Sequence, residues 1–402
     1  MMALSAEGKV ALDDLLTQTV ESRKMPNICF GATTAKENLY FNARGSRVFN
    51  ESASGEIDKN SVYWICSETK TITSIAIIQL IEKGKISMET PVSEILPELA
   101  DPIILDNPIA KNSTYFSAKT TITVKHLLNH SSGMFYYSED PRQLPIPYTD
   151  LYDTDEDPIS RFFALIRGDL PSIPLMFEPG TDFSYGYSTD CIGFIIERLT
   201  GQSLEEYCQE NIFMPIGLTS ITYCPTPEMV ERAVSLSIRR PDKTFETWKN
   251  QILLKPQHGK DIRLHLGGIG LHSTMNDILK LMQHILQIYA GCAVNPILIL
   301  DSVKKLFIPT LSDNAVANVN LTTGVKDGQW GIGLCLNTTD WPGARRVRSG
   351  WWSGWAGTYH LIDPITGIAC VFGTQLTPPL DPEVKKAWWS AEKALYTGLT
   401  IG

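Results

Sequence analysis

Two hydrophobic periods divide the chain. Residues 8–24 follow a helical spacing, with Val10, Leu12, Leu15, Leu16 and Val20 as the apolar positions. Strand-like runs follow at 28–32, 39–43 and 63–66, and 67–83 reads as a helix stopped by Gly84. The middle has another texture: helices are predicted over 124–129, 158–166, 189–199 and 203–212, between loops rich in Pro, Asp and Tyr. The most loop-like stretch is 136–157. After Gly267-Gly268 the pattern predicts a helix over 275–289, strands at 330–336, 357–362 and 368–373, and a last helix near 381–396. Strand and helix material at both ends thus flanks a helical middle. The economical arrangement is a discontinuous α/β domain, residues 1–100 and 270–402, carrying an inserted, mainly helical domain at 101–269. A cleft between two such units is a common place for a site.

Composition then narrows the function. Of 402 residues, 43% are hydrophobic and 20% charged, enough apolar material for a full core. The net charge of −9, with no run of Lys or Arg, argues against a nucleic-acid partner, because phosphate binding needs a basic face. The most apolar stretch, 75–81, is interrupted by Gln79 and is too short to span a bilayer. The N-terminal pattern is not that of a secretory signal. Eight cysteines are scattered without a CxxC pair, so neither a disulfide framework nor a zinc site is expected, and a reducing, cytoplasmic setting fits.

Three segments could carry chemistry. Ser67-Glu-Thr-Lys70 follows a strand and opens an apolar helix, where residues three apart share a face, so Lys70 can approach Ser67. A Ser with free backbone N–H groups around it and a Lys beside it is a plausible nucleophile and activator. The spacing recurs at Ser302–Lys305 and Ser390–Lys393, but those lie in amphipathic helices. Only the first precedes a helix apolar on nearly all sides, where a Lys needs a reason to be present. Tyr185, in an aromatic loop after Pro179-Gly180, could take a proton if a nearby ammonium favoured its phenolate. The run from Ser349 to Pro364 combines Trp351, Trp352 and Trp355 with Gly350, Gly354 and Gly357. It reads equally as a bulged strand or as a site wall whose backbone N–H joins that of Ser67 in an oxyanion hole. The pair His126 and His130 has i,i+4 spacing but no HExxH glutamate and no third ligand, so a structural helix end is the better account. Gly267-Gly-Ile-Gly-Leu is not a phosphate loop, since no Lys-Ser/Thr follows.

Together these segments resemble the serine β-lactamase-like superfamily. That group includes class C β-lactamases, D-Ala-D-Ala peptidases, family VIII carboxylesterases and the fungal lovastatin-type acyltransferase and statin esterase branch, to which the resemblance is nearest. It rests on Ser67-Glu-Thr-Lys70 with Gly84-Lys-Ile-Ser-Met-Glu-Thr-Pro-Val, on Ile122 to Gly133, on Pro179 through Tyr185 to Gly201, on Gly268 to Asp277, and on Gly331-Ile-Gly-Leu. It implies an antiparallel sheet flanked by helices with an inserted all-helical domain. It further implies Ser67 acylation, proton handling by Lys70 and Tyr185, an oxyanion hole from the Ser67 and Trp355 N–H groups, and no cofactor or metal. Tyr187 stands where class C β-lactamases have Asn. The Lys-Thr-Gly strand is replaced by Ser349-Gly-Trp or Trp352-Ser-Gly, which removes the cation expected to hold a β-lactam or peptide carboxylate. The expectation is therefore a serine esterase for a hydrophobic, polyketide-like ester, with Tyr187, Trp351, Trp352 and Gly354 binding substrate. Acyl transfer from a thioester, carried on a small thiol or an acyl carrier protein, is the alternative. β-Lactamase activity and a catalytically silent binding protein rank below both.

Overall fold

The computed structural model describes residues 2–110, 113–136, 156–248 and 262–401. Most of the predicted loop at 136–157 lies outside them.

A seven-stranded antiparallel sheet organises the molecule. Its strands are β1 (Asn27–Thr34), β2 (Asn38–Gly45), β3 (Gly328–Trp330), β4 (Cys335–Asn337), β5 (Gly350–Ser353), β6 (Tyr359–Asp363) and β7 (Ile368–Gly373). They are ordered β3-β4-β5-β6-β7-β1-β2, so β1 from near the start of the chain pairs with β7 from near its end, Cys370 opposite Ala32. Every residue of β1 and β7 is buried. Alternate side chains feed two cores: Ile28, Phe30, Ile368, Cys370 and Phe372 join one, while Cys29, Ala369 and Val371 join the other. A sheet covered on both faces explains why these strands read as unbroken apolar runs.

Helix α1 (Ala6–Glu21) lies on the first face, capped by the Ser5 hydroxyl, which accepts the Gly8 N–H at 3.0 Å. It carries Leu12 and Leu16 into a core that the last helix (Pro382–Gly398) completes with Trp388 and Leu395. The helix Met275–Tyr289 covers the opposite face, at the predicted bounds, with Met275, Ile278, Leu279 and Met282 inward.

Helix α2 (Thr69–Glu82) runs through the centre and is buried continuously from Thr69 to Leu80. It packs against α3 (Ser188–Thr200). The predicted helix at 203–212 is an α-helix only over Leu204–Cys208 and continues as a π-helical turn, Gln209–Phe213. The single run expected at 330–336 is a hairpin: Gly333, at φ +69°, reverses the chain between β3 and β4. The middle of the chain also holds short strands, among them Ile103–Leu105, Tyr115–Ser117 and Pro174–Leu175, too brief for a period to reveal. Periodicity also missed the helix Asp313–Thr323, whose few apolar positions make no clear stripe. Among the described residues no helix is long and apolar enough to cross a membrane.

One buried ion pair fastens the last helix to the sheet. Arg345 and Glu392 are each 1% exposed in their side chains and bond through two N–H groups, at 2.6 and 2.8 Å. The Arg345 guanidinium also lies 4.6–5.9 Å from the ring centres of Trp341, Trp351 and Trp388. Replacing Glu392 by Ala leaves that guanidinium buried and unpaired. The expected loss is about 3–5 kcal/mol of stability, read from urea unfolding of the variant against the native chain.

Candidate active site

The nucleophile candidate sits where a short strand is forced into a helix. Val62–Trp64 pairs with His272–Thr274, and the Ile65 N–H still bonds to the Leu271 carbonyl at 3.1 Å. Cys66 then takes φ +45°, a left-handed value that a side chain adopts at a cost, and opens the 3₁₀ turn Cys66–Glu68. Ser67 lies in this turn, ahead of α2, and is 8% exposed. Glu68 Oε1 lies 2.8 Å from His360 Nδ1, and His360 Nε2 lies 3.2 Å from the Thr71 hydroxyl. This link fixes the serine turn to β6.

Lys70 is only 1% exposed. Its ammonium donates to the Gly268 carbonyl at 2.8 Å, the Tyr136 hydroxyl at 3.2 Å and Ser67 Oγ at 3.3 Å. It lies 4.7 Å from the centre of the Tyr185 ring, within cation–π range. The Tyr185 hydroxyl accepts the Trp352 indole N–H at 3.0 Å. No hydrogen bond joins it to Ser67 or Lys70 among the described residues.

Sequence reasoning missed the carboxylate in this network. Asp190, on α3, is buried, accepts the Gly268 N–H at 2.8 Å and bonds to the Tyr136 hydroxyl. Burial pushes its carboxyl up to about 6, against the lowering effects of the Lys70 ammonium and the Gly268 N–H. In the sequence it passes for an ordinary acidic residue at a helix start, and Tyr136 for one aromatic in a loop. Gly267-Gly268, set aside as a phosphate loop, is required here for closeness. A Cβ on Gly268 would lie 2.7 Å from Asp190 Oδ2, and one on Gly267 2.6 Å from the Thr189 carbonyl.

The C-terminal segment arrives on the other side of Ser67. Gly354 ends β5 so near the serine turn that a Cβ would stand 2.5 Å from the Ile65 carbonyl oxygen. The Trp355 N–H, the second expected oxyanion donor, is held against the Cys66 sulfur. Burial pushes the Cys66 thiol up to about 11. A cavity of about 390 Å³ opens onto Ser67 and is lined by Tyr185, Trp351, Trp352, Gly354 and Trp355. Tyr187 does not line it. That ring packs between Tyr136 and Phe162, at 4.6 and 5.6 Å, and faces a second cavity.

The two histidines do different work. His126 Nδ1 accepts the Thr123 N–H at a helix start. His130 is buried with its ring 4.9 Å from that of Tyr185, and burial together with the Lys70 charge holds it well below its ordinary value. Ser302 lies in the short helix Leu300–Leu306, where Lys305 pairs with Asp301 at 2.7 Å in solvent. Ser390 lies on the outer surface of the last helix.

A family model described as Beta-lactamase matches residues 12–395. The chain belongs to the beta-lactamase family. It is 25% identical to monacolin J acid methylbutanoyltransferase of Aspergillus terreus, over 98% of this chain and 97% of the relative. It is 27% identical to lovastatin esterase of Penicillium rubens, over 93% and 94%. Simvastatin synthase from Aspergillus terreus superposes with a TM-score of 0.82 at 25% identity, over 98% and 99% of the two chains. EstCE1, a hydrolase with promiscuous acyltransferase activity, shares the fold at a TM-score of 0.76 and 17% identity. The chain is accordingly an enzyme of the serine esterase and acyltransferase kind, with the β-lactamase fold.

Two outcomes follow from this geometry. Gly354→Ala must push β5 away from the serine turn, and we expect roughly 10²–10³-fold lower kcat on a p-nitrophenyl ester, together with a loss of about 1–3 kcal/mol of stability in urea unfolding. Because the folded chain holds the Asp190 proton more tightly than an unfolded chain would, ionising this carboxyl costs stability as pH rises from its ordinary range through about 6. Its bonds to the Gly268 N–H and the Tyr136 hydroxyl, and the nearby Lys70 charge, favour the ionised form. The profile of kcat/KM against pH should therefore fall on the acid side near 6, and Asp190→Asn should lower the plateau and remove that limb.

Proposed function

We propose that this enzyme hydrolyses a hydrophobic, polyketide-like carboxylic ester through an acyl group on Ser67. The observation that carries the reading is Ser67 Oγ beside a buried ammonium at 3.3 Å, at the mouth of an aromatic-walled cavity. Tyr185, acting as the phenolate, takes the Ser67 proton as Oγ attacks the ester carbonyl, and so becomes the phenol that later protonates the leaving alcohol. Lys70 holds Ser67 through its hydrogen bond, faces the ring of Tyr185, and its charge favours the negative charge that develops. The backbone N–H groups of Ser67 and Trp355 receive the oxyanion once Trp355 turns from the Cys66 sulfur towards the substrate. The alcohol leaves with the proton, and water then releases the acid by the same steps in reverse.

Two features favour an ester over a β-lactam. Trp352 gives Tyr185 an uncharged indole N–H, where the corresponding strand of class C β-lactamases would offer a Lys. The wall beyond it is formed by Trp351 and Trp355. The second reading is transfer of the acyl group from a small or carrier-protein thioester to a natural-product alcohol, which uses the same residues. It is favoured by the methylbutanoyltransferase and acyltransferase relatives. Eight free thiols support a reducing cytoplasmic setting for either reaction.

A fluorophosphonate should add one label to the native chain, at Ser67, and none to Ser67→Ala. An unlabelled native protein would overturn the reading. Tyr185→Phe should lower kcat on p-nitrophenyl butyrate roughly 10²–10⁴-fold, and Tyr136→Phe far less. The reverse ranking would make Tyr136, the phenol that Lys70 contacts, the base. Product analysis with and without a hydrophobic alcohol divides hydrolysis from transfer, and nitrocefin should remain uncleaved.

A further inference from the structure

The cavity at Ser67 ends against the first turn of the last helix, and its chemistry changes there. Along Trp351, Trp352, Tyr359 and Trp388 the walls are aromatic. Among the described residues two charged side chains reach it, Asp381 and Lys385. Asp381 is fully engaged. It caps the helix by accepting the Glu383 and Val384 N–H groups at 3.0 and 3.1 Å, and it takes a two-pronged bond from Arg239.

Lys385, one turn further on, has no such engagement. Its ammonium makes one polar contact among the described residues, to the Thr323 carbonyl at 3.5 Å, the outer limit of a hydrogen bond. The ring centre of Trp389 lies 5.6 Å away, and among the described residues no carboxylate lies within 4 Å. An ammonium has three N–H donors, so two are left without a protein acceptor among the described residues. The side chain is half-buried, which places a charge with few protein partners beside aromatic walls that offer it no acceptor.

We propose that Lys385 receives a carboxylate of the substrate, so that the compound processed at Ser67 is an amphiphile with an apolar body against the tryptophans and an anionic end on this ammonium. The proposal rests on the Ser67 acyl-enzyme reading and adds the substrate class to it. Arg239 neutralises Asp381, so the carboxylate already at this end does not repel the incoming anion. Apolar walls strengthen the bond by excluding water from it. A lone surface ammonium would bind a carboxylate weakly, whereas here the apolar contact and the charge-assisted bond act on one molecule. Strand β5, bearing Trp351 and Trp352, supplies no cation of its own to this cavity. Recognition of the anion therefore falls to the helix.

The test is a binding titration of the full chain at pH 8, read by tryptophan fluorescence, with octanoate and its neutral isostere octanamide. The native protein should bind octanoate about tenfold more tightly than octanamide. Lys385→Met should bring the ratio to about one, and Lys385→Arg should keep it. About 0.5 M salt should reduce the native ratio. Equal binding of the two ligands by the native protein overturns the proposal, as does an undiminished preference in Lys385→Met. Fluorophosphonate labelling of the same sample reports separately on Ser67. Labelling without a preference for octanoate removes Lys385 from substrate recognition and leaves the acyl-enzyme intact. A preference without labelling keeps the anion site and removes the chemistry.

Discussion

The buried ammonium of Lys70 is the constraint around which this molecule is arranged. A charge taken out of water is costly unless its N–H groups find acceptors and a counter-charge stands near. Lys70 finds its acceptors on three separate parts of the chain, at Ser67, Tyr136 and Gly268. The counter-charge is Asp190, one hydroxyl away through Tyr136. Satisfying one side chain therefore gathers the serine turn, the segment that carries Tyr136, the start of α3 and the double-glycine loop into one place. Those are the parts that the proposed acyl-enzyme chemistry uses.

The sheet serves the same centre from the other side. Its strand β5 brings Trp351 and Trp352 to the cavity, and the missing side chain of Gly354 lets the strand end approach Ile65. Two buried polar links hold this wall at a fixed height. Glu68 and His360 tie the serine turn to β6, and Arg345 and Glu392 tie the last helix to the segment before β5. Both links are buried polar pairs among apolar groups, where losing one partner costs more than the pair contributes. Such pairs specify an arrangement more than they strengthen it.

Much of the fold could be read from local pattern. The helix at Met275–Tyr289 and the buried run of α2 have long, regular periods, and their burial follows from which faces are apolar. Strands of two or three residues, such as Pro174–Leu175, have no period to read. The hairpin at 330–336 was concealed because both of its strands are buried and so give one continuous apolar run. The π-helical turn after Cys208 depends on how that helix meets its neighbours, which its own residues do not encode.

The same division holds at the site. Ser67 and Lys70 are three residues apart on a helix start, so the helical period alone puts Oγ and Nζ within reach. Trp351, Trp352 and Gly354 are neighbours on one strand, and a short run of sequence was enough to mark them as a wall. The partners of Lys70 other than Ser67 are a different matter, because they lie 66 and 198 positions away. No local rule says that the ammonium meets the hydroxyl of Tyr136 and only the ring of Tyr185, or that Tyr187 turns towards a second cavity. Asp190 looks like a helix-start residue until its burial and its two partners are known. Pairings of this kind arise from the packing of distant segments around a charge that must be satisfied, and only the folded chain decides which segments arrive.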